Sequence, residues 1–583
     1  MLKEFKTLLP FVRKYRRWYL FGIFWLLVTS GGQLLIPQFI RIAIDMIAEG
    51  AVDLREVAEL MGWLLLVAVL IAAGRFGWRY YIHGASRRIE KELRDQLFNH
   101  LLTLSGSFYS RTRIGDLMAR ATNDMNAIRM ASGMALVALT DGILMSAAIL
   151  TIIFVQNPSL AIIVILPLPL ITFMVLFLGK LVGQLFRSVQ EGFSTLSEQA
   201  QESLAGIRVI KSFVKEGYFA ERFRRANDVY QTRNMRLIRI WGMFMPLVTF
   251  LSGLTSLLLL RFGGVSVVTG EISAGDFVQT LSYLEMMIWP MLGMGFTVNL
   301  LQRGGASLGR INQILSEKPD ITSPINGIRT PVHGSIEIRN LNYSFPDSDE
   351  ETLRDIELSI PAGSILGILG RTGSGKSTLI RLLPRLIDPP PGTIFLDGRD
   401  IREYDLSWLR MQFAIVAQDN FLFSQSIKDN IGFGMSSLDD ERVFHVADVS
   451  TISRDIENFP AGWDTQVGER GITLSGGQKQ RVSISRALAT DNGILIFDDA
   501  LSAVDTETEE RILSQLLEER SGKTSIIISH RVSTLKTADH IAVLDGGRII
   551  QHGTHAELMQ DEDGFYAEIA ALQRLESAGD ITP

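Results

Sequence analysis

The chain has no cysteine in its 583 residues, so it can form neither disulfides nor thiolate metal sites, and the redox state of its compartment leaves no mark on it. It also lacks a basic excess: 57 Lys and Arg against 63 Asp and Glu give a net charge of −6, which argues against a nucleic-acid partner. The first apolar run is too long for a cleavable leader and has no small-residue cleavage site, so it is expected to remain as a membrane anchor.

Apolar sequence is abundant. Hydrophobic residues make up 47% of the chain, and they are concentrated before residue 305. Six runs there, at about 18–44, 58–82, 133–156, 159–181, 241–263 and 277–301, reach the ~20 residues a membrane-spanning helix needs. Any one of them could be a buried helix of a soluble protein, but six in one half read as spans that place the chain among membrane lipids. Lys3, Lys6, Arg13, Lys14, Arg16 and Arg17 precede the first run, while the loop after it carries Glu49, Asp53 and Glu56 against Arg55. Positive charge stays inside, which puts the N-terminus in the cytoplasm. The connections after the second and fourth runs are long and charged, and therefore cytoplasmic as well.

The second half carries a different chemistry. GRTGSGKST, Gly370–Thr378, follows the apolar run Ile365–Leu369 and precedes the helix-forming LIRLLPRLI, the strand–loop–helix context of a phosphate-binding loop. Gly370, Gly373 and Gly375 let backbone N–H groups turn onto phosphates, Lys376 reaches the β- and γ-phosphates, and the Ser377 hydroxyl ligates Mg²⁺. Arg371, Thr372 and Ser374 between the glycines, and Thr378 at the end, belong to the same nucleotide site. Downstream, ILIFDDA ends an apolar strand on Asp498, a carboxylate placed to hold the Mg²⁺ shell. Some twenty residues before it, LSGGQ opens an amphipathic helix, where a serine and two glycines make an anion site without side-chain charge.

These motifs, in this order, resemble the nucleotide-binding domain of an ABC transporter from about Gly334 onward. The resemblance implies a multi-domain protein: an all-α six-helix transmembrane domain followed by an α/β P-loop ATPase domain with a helical subdomain. It implies ATP and Mg²⁺ as cofactors. It also implies that Gln418 senses Mg²⁺, that His530 is the switch histidine at the γ-phosphate, and that Asp505 lies in the loop crossing a dimer interface. Leu474, Ser475, Gly476, Gly477 and Gln478 would complete the ATP site of a second subunit. VGERG, Val467–Gly471, resembles the segment that exporters set against their coupling helices. Phe108–Asp124 and Gly206–Phe223 resemble the two coupling regions; without the family, both are amphipathic solvent-facing helices. The implied domains are a cytoplasmic elbow at 1–17, the membrane domain at 18–313, a proline-marked linker at 314–333, the ATPase domain at 334–575 and a disordered tail at 576–583.

Two positions depart from the family. Phe345 stands where a tyrosine usually stacks on adenine, and its phenyl face still stacks. Asp499 stands where the family carries a catalytic glutamate. Aspartate is one methylene shorter, and a general base must come within about 2.6–3.2 Å of the proton it takes. An intact LSGGQ beside an altered base position resembles the degenerate-site subunit of bacterial heterodimeric multidrug exporters, whose partner half-transporter keeps the glutamate. A homodimeric lipid or peptide exporter and an ATP-gated channel or regulatory subunit remain the alternatives. The expected location is a bacterial plasma membrane with both termini cytoplasmic. In the sixth span, Glu285 is costly in hydrocarbon, and with Met287 and Trp289 it could line a cavity for hydrophobic or amphipathic cargo; otherwise Glu285 pairs with another helix and the methionines pack. Asp141 and Arg75 are read as structural or water-facing.

Overall fold

A computed structural model describes residues 3–50, 53–165, 168–346, 348, 350–468 and 474–577. Residues 469–471 of the VGERG segment and the end of the expected tail, 578–583, lie outside the described residues. The chain divides into two compact units, Met1–Thr103 with Thr112–Glu317, and Leu104–Arg111 with Lys318–Pro583.

The first unit is helical. Among the described residues, five helices are long and apolar enough to cross a membrane: α1 (Arg16–Ala48), α2 (Leu54–Thr103), α3 (Ile114–Gln156), α5 (Glu216–Val268) and α6 (Ala274–Ser316). The expected fourth span, 159–181, includes residues 166 and 167, which are not described; α4 (Leu168–Ala205) follows them. The 50 residues of α2 and 53 of α5 make helices of about 75–80 Å, more than twice the ~30 Å hydrocarbon core, so both run on well beyond the membrane.

Lipid offers no hydrophobic drive between helices, so small residues that let backbones approach hold α1 to α2. A Cβ on Gly74 would sit 2.4 Å from Thr29 Oγ1, and one on Gly77 would sit 2.4 Å from the Trp25 ring. Ser273 caps α6 in a reciprocal pair with Asp276, and Asp45 of α1 accepts hydrogen bonds from Ser273 Oγ at 3.0 Å and the Gly275 N–H at 2.8 Å. Asp141 of α3 accepts a hydrogen bond from Ser30 Oγ at 2.7 Å. Arg75 has no ion pair among the described residues and lines a groove of about 810 Å³ together with Gln33 and Phe76.

The second unit is α/β. An antiparallel sheet has strand order β2-β1-β4-β5, formed by β1 (Ile336–Ser344), β2 (Glu351–Ile360), β4 (Ile394–Leu396) and β5 (Arg399–Asp400). The second sheet runs β10-β9-β3-β8-β7-β6, with β3 (Ile365–Gly370), β6 (Phe413–Val416), β7 (Ile494–Asp498), β8 (Thr524–Ile528) and β9 (His540–Asp545) parallel and β10 (Arg548–Gly553) antiparallel at the edge.

All five residues of β7 and of β8 are buried, as expected where both faces of a parallel sheet are covered. Side chains alternate between two cores: Leu495, Phe497 and Ile527 face one that includes the helices after Ile427, and Ile494, Ile496, Ile526 and Ile528 face the core shared with the antiparallel sheet. Within the expected linker, the Ile328 N–H donates to Glu403 O at 3.0 Å. The helix Gly106–Arg111, from the first expected coupling region, also belongs to the second unit, and Ser105 Oγ beside it donates to Asp320 at 2.9 Å.

Candidate nucleotide site

The strand order decides which loops meet. β3, β8, β7 and β6 are neighbours, so the loops leaving their C-terminal ends lie side by side, where open parallel sheets bind ligands. Those loops carry Gly370–Thr378, His530, Asp498 with Asp499, and Gln418. The structure gathers Thr372, Gly373, Gly375, Lys376, Ser377 and Thr378 with Gln418, Asp498, Asp499 and His530 around one cavity of about 290 Å³. Thr352 from β2 joins them, a residue without any sequence motif.

Within the loop, Gly373 and Gly375 adopt φ of +84° and +101°, which β-carbons disfavour, and Gly375 opens α7 (Lys376–Leu382). A Cβ on Gly370 would come within 2.2 Å of Leu544 O. Lys376 is 7% exposed, and its Nζ donates to the carbonyls of Gly370 and Arg371, each at 2.8 Å. Burial pushes its pKa down, against the pull of Asp498 and Asp499. Burial likewise pushes the Asp498 carboxyl up, opposed by the hydrogen bond from Ser377 Oγ at 3.4 Å. Ser374 Oγ is buried with no hydrogen-bond partner among the described residues. A cationic amine held among carbonyls, an orphaned hydroxyl and a buried hydroxyl–carboxylate pair are the donor set that a phosphate chain with a divalent cation would satisfy.

Asp499 has φ +50° and its N–H donates to Ile528 O at 3.1 Å, which ties it to the strand leading into the His530 loop. Phe345 lies apart from the cavity at the end of β1. It is 37% exposed and edge-on to Tyr343, which is itself buried, so Phe345 is the ring with an open face.

LSGGQ lies elsewhere. Ser475 caps α8 (Gly476–Ala489) in a reciprocal pair: its Oγ accepts from Gln478 N at 3.3 Å, and Gln478 Oε1 accepts from Ser475 N at 3.0 Å. Leu474 is buried, whereas Ser475 and Gly476 are exposed, and none of the five residues lines the cavity. Gln480, which the motif reading passed over, is 4% exposed and grips the following loop, donating to Ser502 Oγ at 3.3 Å and accepting from Ala503 N at 3.0 Å. A polar residue on the buried face of that amphipathic helix was the sequence signal for it. Asp505 then caps α9 (Thr506–Glu519), accepting from Thr508 N at 3.0 Å, and that backbone hydrogen bond holds its carboxyl below the usual range.

In α6, Glu285 and Trp289 share a face one turn apart. Both are exposed, Trp289 at 73%, and Glu285 has no hydrogen bond or ion pair among the described residues. Met287 does not share that face. It is 3% exposed and packs with Tyr283, Leu284 and Met145 inside the helical core.

A chain with a helical membrane-spanning unit and a P-loop ATPase unit bearing a helical subdomain is, by class, an ATP-driven membrane transporter. It belongs to the ABC transporters: residues 19–291 match the family's transmembrane region and residues 353–502 match the ABC transporter family. It is 37% identical over 580 residues to the probable multidrug resistance ABC transporter ATP-binding/permease protein YheI of Bacillus subtilis, covering 99% of each chain. It is 36% identical over 577 residues to the multidrug resistance-like ATP-binding protein MdlA of Escherichia coli, covering 98% of this chain and 97% of that one. An ATP-dependent lipid A-core flippase of Syntrophus aciditrophicus is 32% identical over 514 residues, covering 87% and 85%. The solved structure of a bacterial Atm1-family ABC exporter with ATP bound superposes with a TM-score of 0.78 at 27% identity, covering 96% of this chain and 98% of that one. The chain is thus a half-size exporter of bacterial type, membrane-spanning, that couples ATP hydrolysis to transport.

Proposed function

We propose that this chain is one half of a heterodimeric exporter of amphipathic small molecules, drug-like compounds or lipids, and that its own ATP site turns over slowly. The observation behind this is Asp499: a cavity otherwise complete in phosphate loop, Asp498, Gln418 and His530 has the short acid at the base position. The bases of other proteins lose about 10²–10⁴ in rate when they are displaced from their proton.

In this reading Gly370–Thr378 wraps the phosphates, Lys376 leaves its two carbonyls to bind the β- and γ-phosphates, and Phe345 stacks on adenine. Ser377, Asp498 and Gln418 would hold Mg²⁺, which when bound neutralises charge on the phosphate oxygens. His530 meets the γ-phosphate. The Ser475–Gln478 helix start, exposed at Ser475 and Gly476, does not line its own cavity, and it serves the site of the partner, whose glutamate is intact, with Asp505 in the loop at the interface. Closure on ATP favours the outward-open state by its differential affinity for that state, and turnover at the partner's competent site resets it. The relatives' names, multidrug resistance proteins and a lipid A-core flippase, support apolar or amphipathic cargo.

The test is the mass of the intact complex isolated through a tag on this chain, together with single-site turnover of Asp499→Glu. A complex with one different half-transporter and a rise of at least tenfold at this chain's site are expected. Twice this chain's mass, or unchanged turnover, would overturn the reading.

A further inference from the structure

The last helix of the ATPase unit, α10 (Phe565–Ser577), is anchored far from the phosphate loop in sequence but reaches the switch loop in space. Tyr566 is fully buried, its hydroxyl 2.8 Å from His555 Nδ1, and Ala570 is 4% exposed. Gln573 follows on the same helical face, since residues at 566, 570 and 573 lie one above another. Its two amide ends are both used on the switch loop: Nε2 donates to His530 O at 2.6 Å, and Oε1 accepts from Val532 N at 2.9 Å. A planar primary amide offers a donor and an acceptor at fixed spacing, so it pins the backbone on both sides of Arg531.

The loop has other supports. Glu509 of α9 holds Arg531 and Thr534, and Ser529 Oγ accepts from Arg531 N at 3.0 Å. These act on neighbours of the histidine; the carbonyl of His530 itself goes to Gln573. The same helix also touches the phosphate loop, where the Arg371 guanidinium lies over the Phe565 ring at 5.0 Å. The His530 side chain is exposed toward the cavity and its imidazole has no hydrogen bond among the described residues, so its backbone sets its aim.

We propose that Gln573 is a positioning residue for the nucleotide site, clamping the His530 backbone so that the imidazole meets the terminal phosphate, and that α10 thereby supports both phosphate-sensing loops. This rests on the proposed role of His530.

The test uses the full-length complex in nanodiscs and the ATP-over-ADP preference of this chain's own site, read by photolabelling of this chain with 8-azido-ATP competed by ATP or ADP. Gln573→Ala and His530→Ala should each lower that preference by about tenfold, and the double variant should fall no further, because residues acting through one another are not additive. Gln573→Glu, which keeps the acceptor for Val532 N and loses the donor to His530 O, should fall between. A preference within twofold of wild type in Gln573→Ala, with His530→Ala impaired, would overturn the positioning role alone. Multiplying effects in the double variant would do the same. An unchanged preference in His530→Ala would overturn the reading of His530 and the inference with it. The thermal midpoint of Gln573→Glu separates loss of the clamp from loss of fold: preference should drop at an unchanged midpoint, and a drop only in parallel with unfolding would count against the clamp.

Discussion

Ser377 and Asp498 are 121 residues apart in the chain and 3.4 Å apart in space, hydroxyl to carboxylate, with β8 between β7, which carries Asp498, and β3, which leads into the loop and helix of Ser377. Burial raises the Asp498 carboxyl, and a divalent cation beside the hydroxyl and the carboxylate would favour the charged form again.

Asp498→Asn should therefore leave Mg²⁺-free ATP binding almost unchanged while lowering ATP affinity in Mg²⁺ by about tenfold or more, the order expected when a charge-assisted contact is lost. Titration of fluorescent ATP with and without Mg²⁺ checks this. Equal loss in both conditions would remove Asp498 from the cation site.

Glu519 offers a pH test of the ATPase unit. Burial pushes its carboxyl up, but hydrogen bonds from His445 Nε2 at 2.9 Å and Arg442 Nη1 at 2.6 Å win and hold it below the usual range. A carboxyl lowered on folding contributes stability that is present above its unfolded pKa, about 4.3, and that is lost as pH falls through the folded value. Glu519→Gln should cost roughly 2 kcal/mol at pH 7, and its deficit in thermal midpoint should hold down to about pH 5 and shrink below the unfolded pKa of about 4.3. A deficit that stays constant from pH 7 to about pH 3 would assign the loss to packing.

Glu285→Gln tests whether the exposed face of α6 bearing Glu285 and Trp289 meets cargo. With no partner for Glu285 among the described residues and Trp289 exposed beside it, the variant should lose efflux of cationic amphiphiles by at least fivefold, about 1 kcal/mol of attraction, and keep that of neutral ones. Uniform loss across cargo would make Glu285 a structural contact with the partner subunit.

The ATPase chemistry was legible because each motif is a short run at the end of a strand, where local pattern and local geometry coincide. Gly370–Thr378, Asp498 and His530 needed only adjacent parallel strands to meet. Thr352, Gln480 and Gln573 were not legible as site residues. Gln573 works through a contact with His530 across 43 residues, and nothing in the immediate neighbours of Gln573 or Thr352 marks them, whereas Gln480 is marked only as a polar residue on the apolar face of its helix. The membrane runs at 18–44, 58–82, 133–156, 241–263 and 277–301 lie within α1, α2, α3, α5 and α6, since length and hydropathy suffice to name a span. They do not say which face of it is buried: Met287 went into the core and Glu285 did not.

By itself the sequence determined the two kinds of unit, the nucleotide chemistry and the short acid at Asp499, because those depend on residue type and on spacing within one loop or one helix. Only the tertiary structure decided that four loops and Thr352 of β2 share one cavity while Ser475–Gln478 stays outside it, and that α10 grips the loop of His530. Strand order and helix packing are set by contacts between segments far apart in the chain, and no local periodicity encodes those.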